Sequence, residues 1–232
     1  MSRQTLKCVV VASTGGSVMN ELLKNAFFKS QVFAVVSDRP CPAIDKARRH
    51  GINAEIIAER NKEVFCDRLL DYLESHQVDY VISFFTKLFV GDLLQRYRDR
   101  IINLHPSLLP AFKGIDGFGD TLAYGARYVG TTVHFIDEHM DEGKIILQTV
   151  YPLDPGKGGV FLRHCIFQQQ CKSLLQVIKW LADERIRIQG NQVIVENAQF
   201  ADYEFSPNLD FEEAIELEIP FVVESVQQRH PA

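Results

Sequence analysis

Cys8-Val9-Val10-Val11-Ala12 is an apolar run with no polar interruption, and it passes directly into Ser13-Thr14-Gly15-Gly16-Ser17. A strand with one wet face alternates apolar and polar residues. A run without alternation is the pattern of a central parallel strand buried on both faces. Val18 to Phe28 then reads as a helix. Strand, glycine loop and helix in that order place backbone amides and the positive end of a helix where a phosphate could dock. The glycine pair alone is a weak signal, because many sheets of this kind need it only for tight packing.

The pattern repeats outward from this unit. Val32 to Ser37 reads as a second strand, Ala43 to His50 as a helix with a basic patch (Lys46, Arg48, Arg49), and Ala54 to Ile57 as a short third strand. Lys62 to Ser75 follows as an amphipathic helix and Tyr80 to Phe84 as a fourth strand. Short apolar strands alternating with helices predict an α/β fold with a doubly wound, mostly parallel sheet, a Rossmann-like arrangement whose ligands lie beyond the carboxyl ends of the strands. Arg100 to Leu104 is a further strand, Asp120 to Tyr124 a short helix, and Thr131 to Ile136 with Lys144 to Tyr151 a strand pair around a turn at Asp141. Val160 to Asp183 carries apolar residues at helical spacing and should pack on the sheet. Residues 1–190 are expected to form the domain and 191–232 a C-terminal extension packed on it or trailing it. That extension holds a last strand at Gln192 to Glu196, an acidic segment from Asp202 to Glu218, and a frayed end from Gln227 to Ala232.

With 232 residues, 46% hydrophobic and 24% charged, the chain has the composition of a soluble globular protein with a self-supporting core. A net charge of -5 gives no reason to expect nucleic acid as a partner. The five cysteines are odd in number, scattered and without a Cys-x-x-Cys pair, so reduced thiols in a cytoplasmic protein are the expectation. The run at residues 8–12 is too short for a signal peptide and no stretch approaches a membrane span, so no membrane partner is expected. The histidines lack a metal-ligand spacing supported by cysteines, and the Gly15 loop lacks Gly-x-Gly-x-x-Gly, so neither metal nor nicotinamide is expected.

The chemistry concentrates in Asn103-Leu104-His105-Pro106-Ser107-Leu108-Leu109-Pro110 and in Asp137-Glu138-His139-Met140-Asp141-Glu142-Gly143. Attack of an amine on a carbonyl carbon builds negative charge on oxygen and moves a proton from the incoming to the leaving nitrogen. Asn103 can donate a hydrogen bond to that oxyanion, and His105 can donate a proton or a charge-assisted hydrogen bond. Asp141 can hold the imidazole, or a bridging water, in position. His134, within the apolar run Val133 to Ile136, reads as a strand histidine that supports the site from behind. Pro106 and Pro110 stiffen the intervening loop.

These two segments, with the strand Gly130-Thr131-Thr132-Val133-His134-Phe135 between them, resemble the folate-dependent formyltransferases, in particular the branch that acts in purine synthesis. The similarity runs from about residue 6 to about residue 186. The resemblance implies a one-carbon transferase that moves a formyl group from 10-formyltetrahydrofolate to the primary amine of 5'-phosphoribosylglycinamide (GAR). It puts the catalytic roles on Asn103, His105 and Asp141, and the folate site on Lys62, Thr86, Lys87, Leu88, Phe89, Asn103, Asp137 and Asp141. Read without the resemblance, Leu88 and Phe89 have a lesser alternative as core residues below a loop. The acceptor site falls on Gly16, Ser17, Val18 and Gln170, in a protein expected to act as a monomer or homodimer on small molecules. The chain departs from the pattern at Thr14 and Val18, where the family usually shows Gly and Asn, at Gln170, where it places Glu, and across Gly114 to Phe118, where it tends to have His or Ser. Two alternatives follow: N-formylation of another small amine such as a nucleotide-linked amino sugar, and hydrolysis of the same folate. The hydrolase branch typically has an amino-terminal regulatory domain, for which a first strand starting within ten residues of Met1 leaves no room.

Overall fold

Every residue of β1 (Cys8–Ala12) is buried, as its unbroken apolar run requires. In this computed structural model, which describes residues 5–154 and 156–221, β1 stands near the middle of an eight-stranded sheet. The chain continues through α1 (Ser17–Leu22), α2 (Ala26–Gln31), β2 (Val32–Ser37), α3 (Pro42–Arg49), β3 (Asn53–Ile56), α4 (Lys62–Ser75), β4 (Tyr80–Phe84), α5 (Asp92–Arg96) and β5 (Ile101–His105). Then come α6 (Gly117–Tyr124), β6 (Tyr128–Phe135), β7 (Ile145–Pro152), α7 (Gly159–Ala182), β8 (Ile186–Gln189), β9 (Gln192–Val195), β10 (Phe205–Ser206) and α8 (Glu212–Ile215). The sheet order is β10-β7-β6-β5-β4-β1-β2-β3. Strands β3, β2, β1, β4 and β5 are parallel, and β6, β7 and β10 extend the sheet antiparallel from β5.

Two apolar layers flank the sheet. One face packs β1, β2 and β4 on α4 and α5 through Phe65, Leu69, Leu73 and Leu93. The other packs the sheet on α1, α3 and α7, with Met19, Ile44, Leu174, Ile178 and Trp180 at its centre. Burying a side chain of this size contributes about 1.5–3 kcal/mol, so the long α7 is held chiefly by its apolar stripe.

The expected elements are present with shifted ends, and the differences have local causes. The single helix expected over Val18 to Phe28 is two helices. Its break lies at Asn25, whose side chain leaves the helical path to accept the Phe28 N–H at 2.9 Å and so caps α2. The short α5 after Gly91 was not expected from the sequence. Gln192 to Glu196 is not the last strand: β9 closes a separate two-stranded hairpin with β8, and β10 follows it at the edge of the main sheet. The frayed end expected from Gln227 lies outside the described residues.

The acidic segment after Asp202 is held to α7 by specific bonds. Asp210 Oδ1 accepts from Gln176 Nε2 at 2.8 Å and from Trp180 Nε1 at 2.9 Å, while Arg185 meets Oδ2 at 2.7 Å. Gln176 Oε1 in return accepts the backbone N–H groups of Asp210 and Phe211, both at 2.8 Å. Gln176 and Trp180 are fully buried, so removing the carboxylate leaves their donors without an acceptor. Asp210→Ala is expected to cost about 2–3 kcal/mol and to lower the melting temperature by about 4–12 °C, whereas Asp210→Asn, which keeps an acceptor oxygen, should lose less. Thermal unfolding followed by circular dichroism reads both.

Candidate active site

Strand order reverses between β1 and β4, and the crevice outside the carboxyl ends at such a switch point is where open α/β sheets bind ligands. Two adjoining clefts open there. The first, of about 260 Å³, lies over the ends of β4 and β5 and is walled by Thr86 to Phe89, Asn103, His105, His134 and Asp137 to Asp141. The second, of about 910 Å³, lies over the end of β1 and along α7, and includes Gly15 to Val18, Phe84 and Gln170. Pro106 borders both.

Antiparallel pairing of β5 with β6 sets Asn103 opposite His134 and His105 opposite Thr132. His134 is 1% exposed, and its Nδ1 donates to the carbonyl of Phe135 at 2.8 Å. Burial disfavours its charged form and holds His134 below the ordinary imidazole value. The neutral ring therefore presents the Nε2 lone pair to Asn103, whose Nδ2 donates to it at 3.2 Å. A carboxamide has two N–H groups, so one is fixed by His134 and the second remains for a ligand in the first cleft.

His105, at the end of β5, is 3% exposed. A carbonyl only accepts, so His105 Nε2 donates to the carbonyl of Phe112 at 2.7 Å. That bond turns Nδ1 toward Asp141, 3.4 Å from Oδ2. Asp141 itself stands in the left-handed region with φ 56°, an uncommon conformation for a residue with a side chain. Its Oδ2 accepts the Gly114 N–H at 2.8 Å, and its Oδ1 faces His134 Nε2 at 3.8 Å. Asp141 thus ties the β6–β7 turn to the loop after Pro110. Thr132 fixes the other side of that loop, donating from Oγ1 to the Ser107 carbonyl at 2.8 Å and accepting the Leu109 N–H at 3.1 Å.

One small residue makes this packing possible. A Cβ on Gly117 would lie 2.6 Å from His105 Nε2 and 2.8 Å from the Phe112 carbonyl, closer than real contacts allow. Gly117→Ala is expected to displace the imidazole and lower turnover by about 10- to 100-fold, since small misplacements at a reacting centre are costly. Comparison of kcat with the far-ultraviolet circular dichroism spectrum checks this: a lower rate with an unchanged spectrum is the expected pair.

The first cleft brings together Thr86, Lys87, Leu88, Phe89, Asn103, Asp137 and Asp141, but their characters differ. Leu88 is 45% exposed, with Ile115 and Met140 also exposed on the rim. Phe89 is a core residue, 4% exposed and stacked on Phe85 at 5.1 Å. Lys87 is engaged by Asp38, 2.8 Å away. Burial works to raise the Asp38 carboxyl, and its hydrogen bonds and charge contacts with Lys87 and Arg39 outweigh that, holding it below the ordinary range. Lys62 lies at the start of α4, 3.8 Å from Glu63, and lines neither cleft.

The second cleft contains Gly16, Ser17, Val18 and Gln170 as expected. Gly16 takes φ 56° and its Cα lies where a Cβ would meet Ala43 Cβ at 2.9 Å, so the turn between β1 and α1 requires glycine. Lys46 Nζ donates to the Gly15 carbonyl at 2.7 Å and pins the loop from outside. Sequence reasoning missed other residues of this cleft: Phe118, Arg163 and His164, and Ile219, Pro220 and Phe221. His164 donates from Nε2 to the Ile219 carbonyl at 2.8 Å, and Phe221 packs edge-on to Phe161 with ring centroids 5.4 Å apart. The basic pair Arg163-His164 on an otherwise apolar stretch of α7 was the one available signal.

Residues 6–178 match the family model described as formyl transferase. The phosphoribosylglycinamide formyltransferase of Mycobacterium tuberculosis (strain ATCC 25618 / H37Rv) is 33% identical over 200 residues, covering 79% of this chain and 88% of that protein. The crystal structure of glycinamide ribonucleotide transformylase 1 from Symbiobacterium toebii superposes with a TM-score of 0.78 at 30% identity, covering 84% of this chain and 99% of the other. Formyltetrahydrofolate deformylase from Burkholderia mallei superposes with a TM-score of 0.74 at 26% identity, covering 83% of this chain and 70% of the other.

Proposed function

The chain belongs to the formyl transferase family, and from that premise we propose that it transfers the formyl group of 10-formyltetrahydrofolate to the primary amine of GAR, a step of purine biosynthesis. The observation that carries the reading is the convergence of Asn103, His105 and Asp141 at the junction of two clefts, one suited to each substrate. The first cleft fits a flat heteroaromatic donor. Leu88, Ile115 and Met140 supply apolar surface, and backbone groups of Ile136 to Met140 can meet a polar ring edge. The second fits a phosphorylated acceptor, since it is lined by Gly16 to Val18 at the start of α1, where the first N–H groups have no partner within the helix.

In this reading the free N–H of Asn103 and the ring of His105 stabilise the oxyanion that forms as the amine attacks the formyl carbon. Asp141 positions His105 across the 3.4 Å contact. The attacking amine gives up a proton, the bond between the formyl carbon and the leaving nitrogen breaks, and a proton reaches that nitrogen through Nδ1 of His105 or through a water ordered by Asp141. Residues 1–190 carry this site, and the segment from 191 onward serves it by holding α7 and lining the acceptor cleft through Ile219 to Phe221. All five cysteines are unpaired, which supports a reducing, cytoplasmic setting.

A second reading, hydrolysis of the same folate, is favoured by the likeness to the Burkholderia mallei deformylase. A third, formylation of a different small amine, is favoured by Val18 and Gln170, which stand where the family usually has Asn and Glu. The deciding experiment follows consumption of 10-formyltetrahydrofolate by absorbance, with GAR and without any acceptor. Turnover only with GAR is the expected result. Equal consumption without acceptor makes the protein a deformylase, and binding of folate with no consumption in either arm assigns it another amine.

A further inference from the structure

Among the described residues Arg163 is the only permanently charged side chain lining the second cleft, and no carboxylate of theirs lines it. The guanidinium carbon stacks 4.4 Å from the centroid of the Phe118 ring, itself buried, at the start of α6. Among the described residues Arg163 makes no hydrogen bond and no ion pair, although its guanidinium carries five N–H donors. The neighbouring His164 is already committed to the carbonyl of Ile219. At Gln170, on the same cleft wall, a neutral amide stands where the family places a carboxylate. Among the described residues the cleft is thereby left with one unpaired positive charge, on an exposed side chain that is open to an incoming anion.

We infer that Arg163 sets the charge selectivity of the acceptor cleft, favouring an acceptor that carries a phosphate over its phosphate-free counterpart. The inference rests on the reading that the second cleft takes the amine substrate. Stacking on Phe118 restricts the guanidinium and lowers the entropy lost when an anion engages it. In this division of roles the amides of Gly16 to Val18 supply directional hydrogen bonds and Arg163 supplies the charge. Gln170 no longer opposes an anion.

The test compares kcat/KM for GAR with that for phosphate-free glycinamide riboside, in the wild type and in Arg163→Gln, Arg163→Glu and Arg163→Lys. The expected result is that the GAR-to-riboside ratio falls about 10-fold in Arg163→Gln and further in Arg163→Glu, through KM, and is kept in Arg163→Lys. The wild-type preference should also shrink in high salt. Loss of activity in equal proportion on both acceptors would mean that Arg163 only supports Phe118, and an unchanged ratio would mean that it does not sense the phosphate; either overturns the inference. If the wild type formylates neither acceptor, the GAR reading fails by itself. Calorimetric binding of ribose 5-phosphate then decides: weaker binding to Arg163→Gln than to wild type upholds the role of Arg163, and equal binding ends it.

Discussion

Replacing His105 with alanine is expected to lower the rate of formyl transfer by about 10²- to 10⁴-fold, the range usual for a positioned acid–base group. The size of the effect follows from how tightly the ring is placed. Nε2 is fixed on the Phe112 carbonyl at 2.7 Å, the face toward α6 is closed by Gly117, and Nδ1 faces Asp141 at 3.4 Å. No neighbouring side chain can take over that position, since Ser107 is already bonded to the Ala111 carbonyl at 2.7 Å. The fold should survive the change. Ser107 Oγ also reaches the Phe112 carbonyl at 3.3 Å, and Asp141 keeps the Gly114 N–H at 2.8 Å, so the loop retains two anchors. Single-turnover formyl transfer and thermal unfolding measured on the same preparation separate the two effects. A folded variant with near wild-type turnover would remove His105 from the chemistry.

The parallel half of the sheet was legible because each of its strands announces itself locally. β1 needs only its own five residues to read as buried on both sides, and α4 shows its apolar stripe within its own span; in the structure Asn61 caps it by accepting the Val64 N–H. The chemical core was legible for a different reason: Asn103 and His105 lie two residues apart on one strand end, so local structure alone brings both to the cleft. What escaped the reading depends on contacts between distant segments. The break at Asn25 is a competition between a side-chain cap and continued helix, which apolar periodicity does not register. The hold of Asp210 on α7 spans 30 residues or more, and no period in the sequence encodes it. Gly117 entered the reading only as part of the departure from the family pattern at Gly114 to Phe118, and the packed structure shows it pressed against the His105 ring. Lys62 illustrates the converse. It stands half-buried at the start of α4 and lines neither cleft. The second cleft was half read: its glycine loop is local, whereas Arg163 and Phe221 reach it only through the path of α7 and of the segment after α8.

Asn103→Ala should lower kcat by about 10²- to 10³-fold, the cost typical of losing one oxyanion donor, with a smaller effect on KM. His134 takes no chemical step itself and acts by holding Asn103. Because a neutral His134 accepts from Asn103 Nδ2 at 3.2 Å, replacing it with phenylalanine frees the carboxamide to rotate and should lower kcat in the Asn103 background. In an Asn103→Ala background the same replacement has nothing left to orient, so the two effects should be strongly non-additive. A positional role also predicts a particular pH response. His134 is held below its ordinary value of 6.5, chiefly by burial, so it stays neutral and keeps accepting from Asn103 as the pH falls through 6.5. The unfolded chain takes up that proton at its ordinary value while the folded chain does not, so stability rather than the Asn103 geometry is what His134 gives up below about pH 6.5. His134→Phe should therefore flatten the acid side of the stability profile while lowering kcat at every pH. A full additive loss in the double variant would instead give His134 an independent part in the reaction.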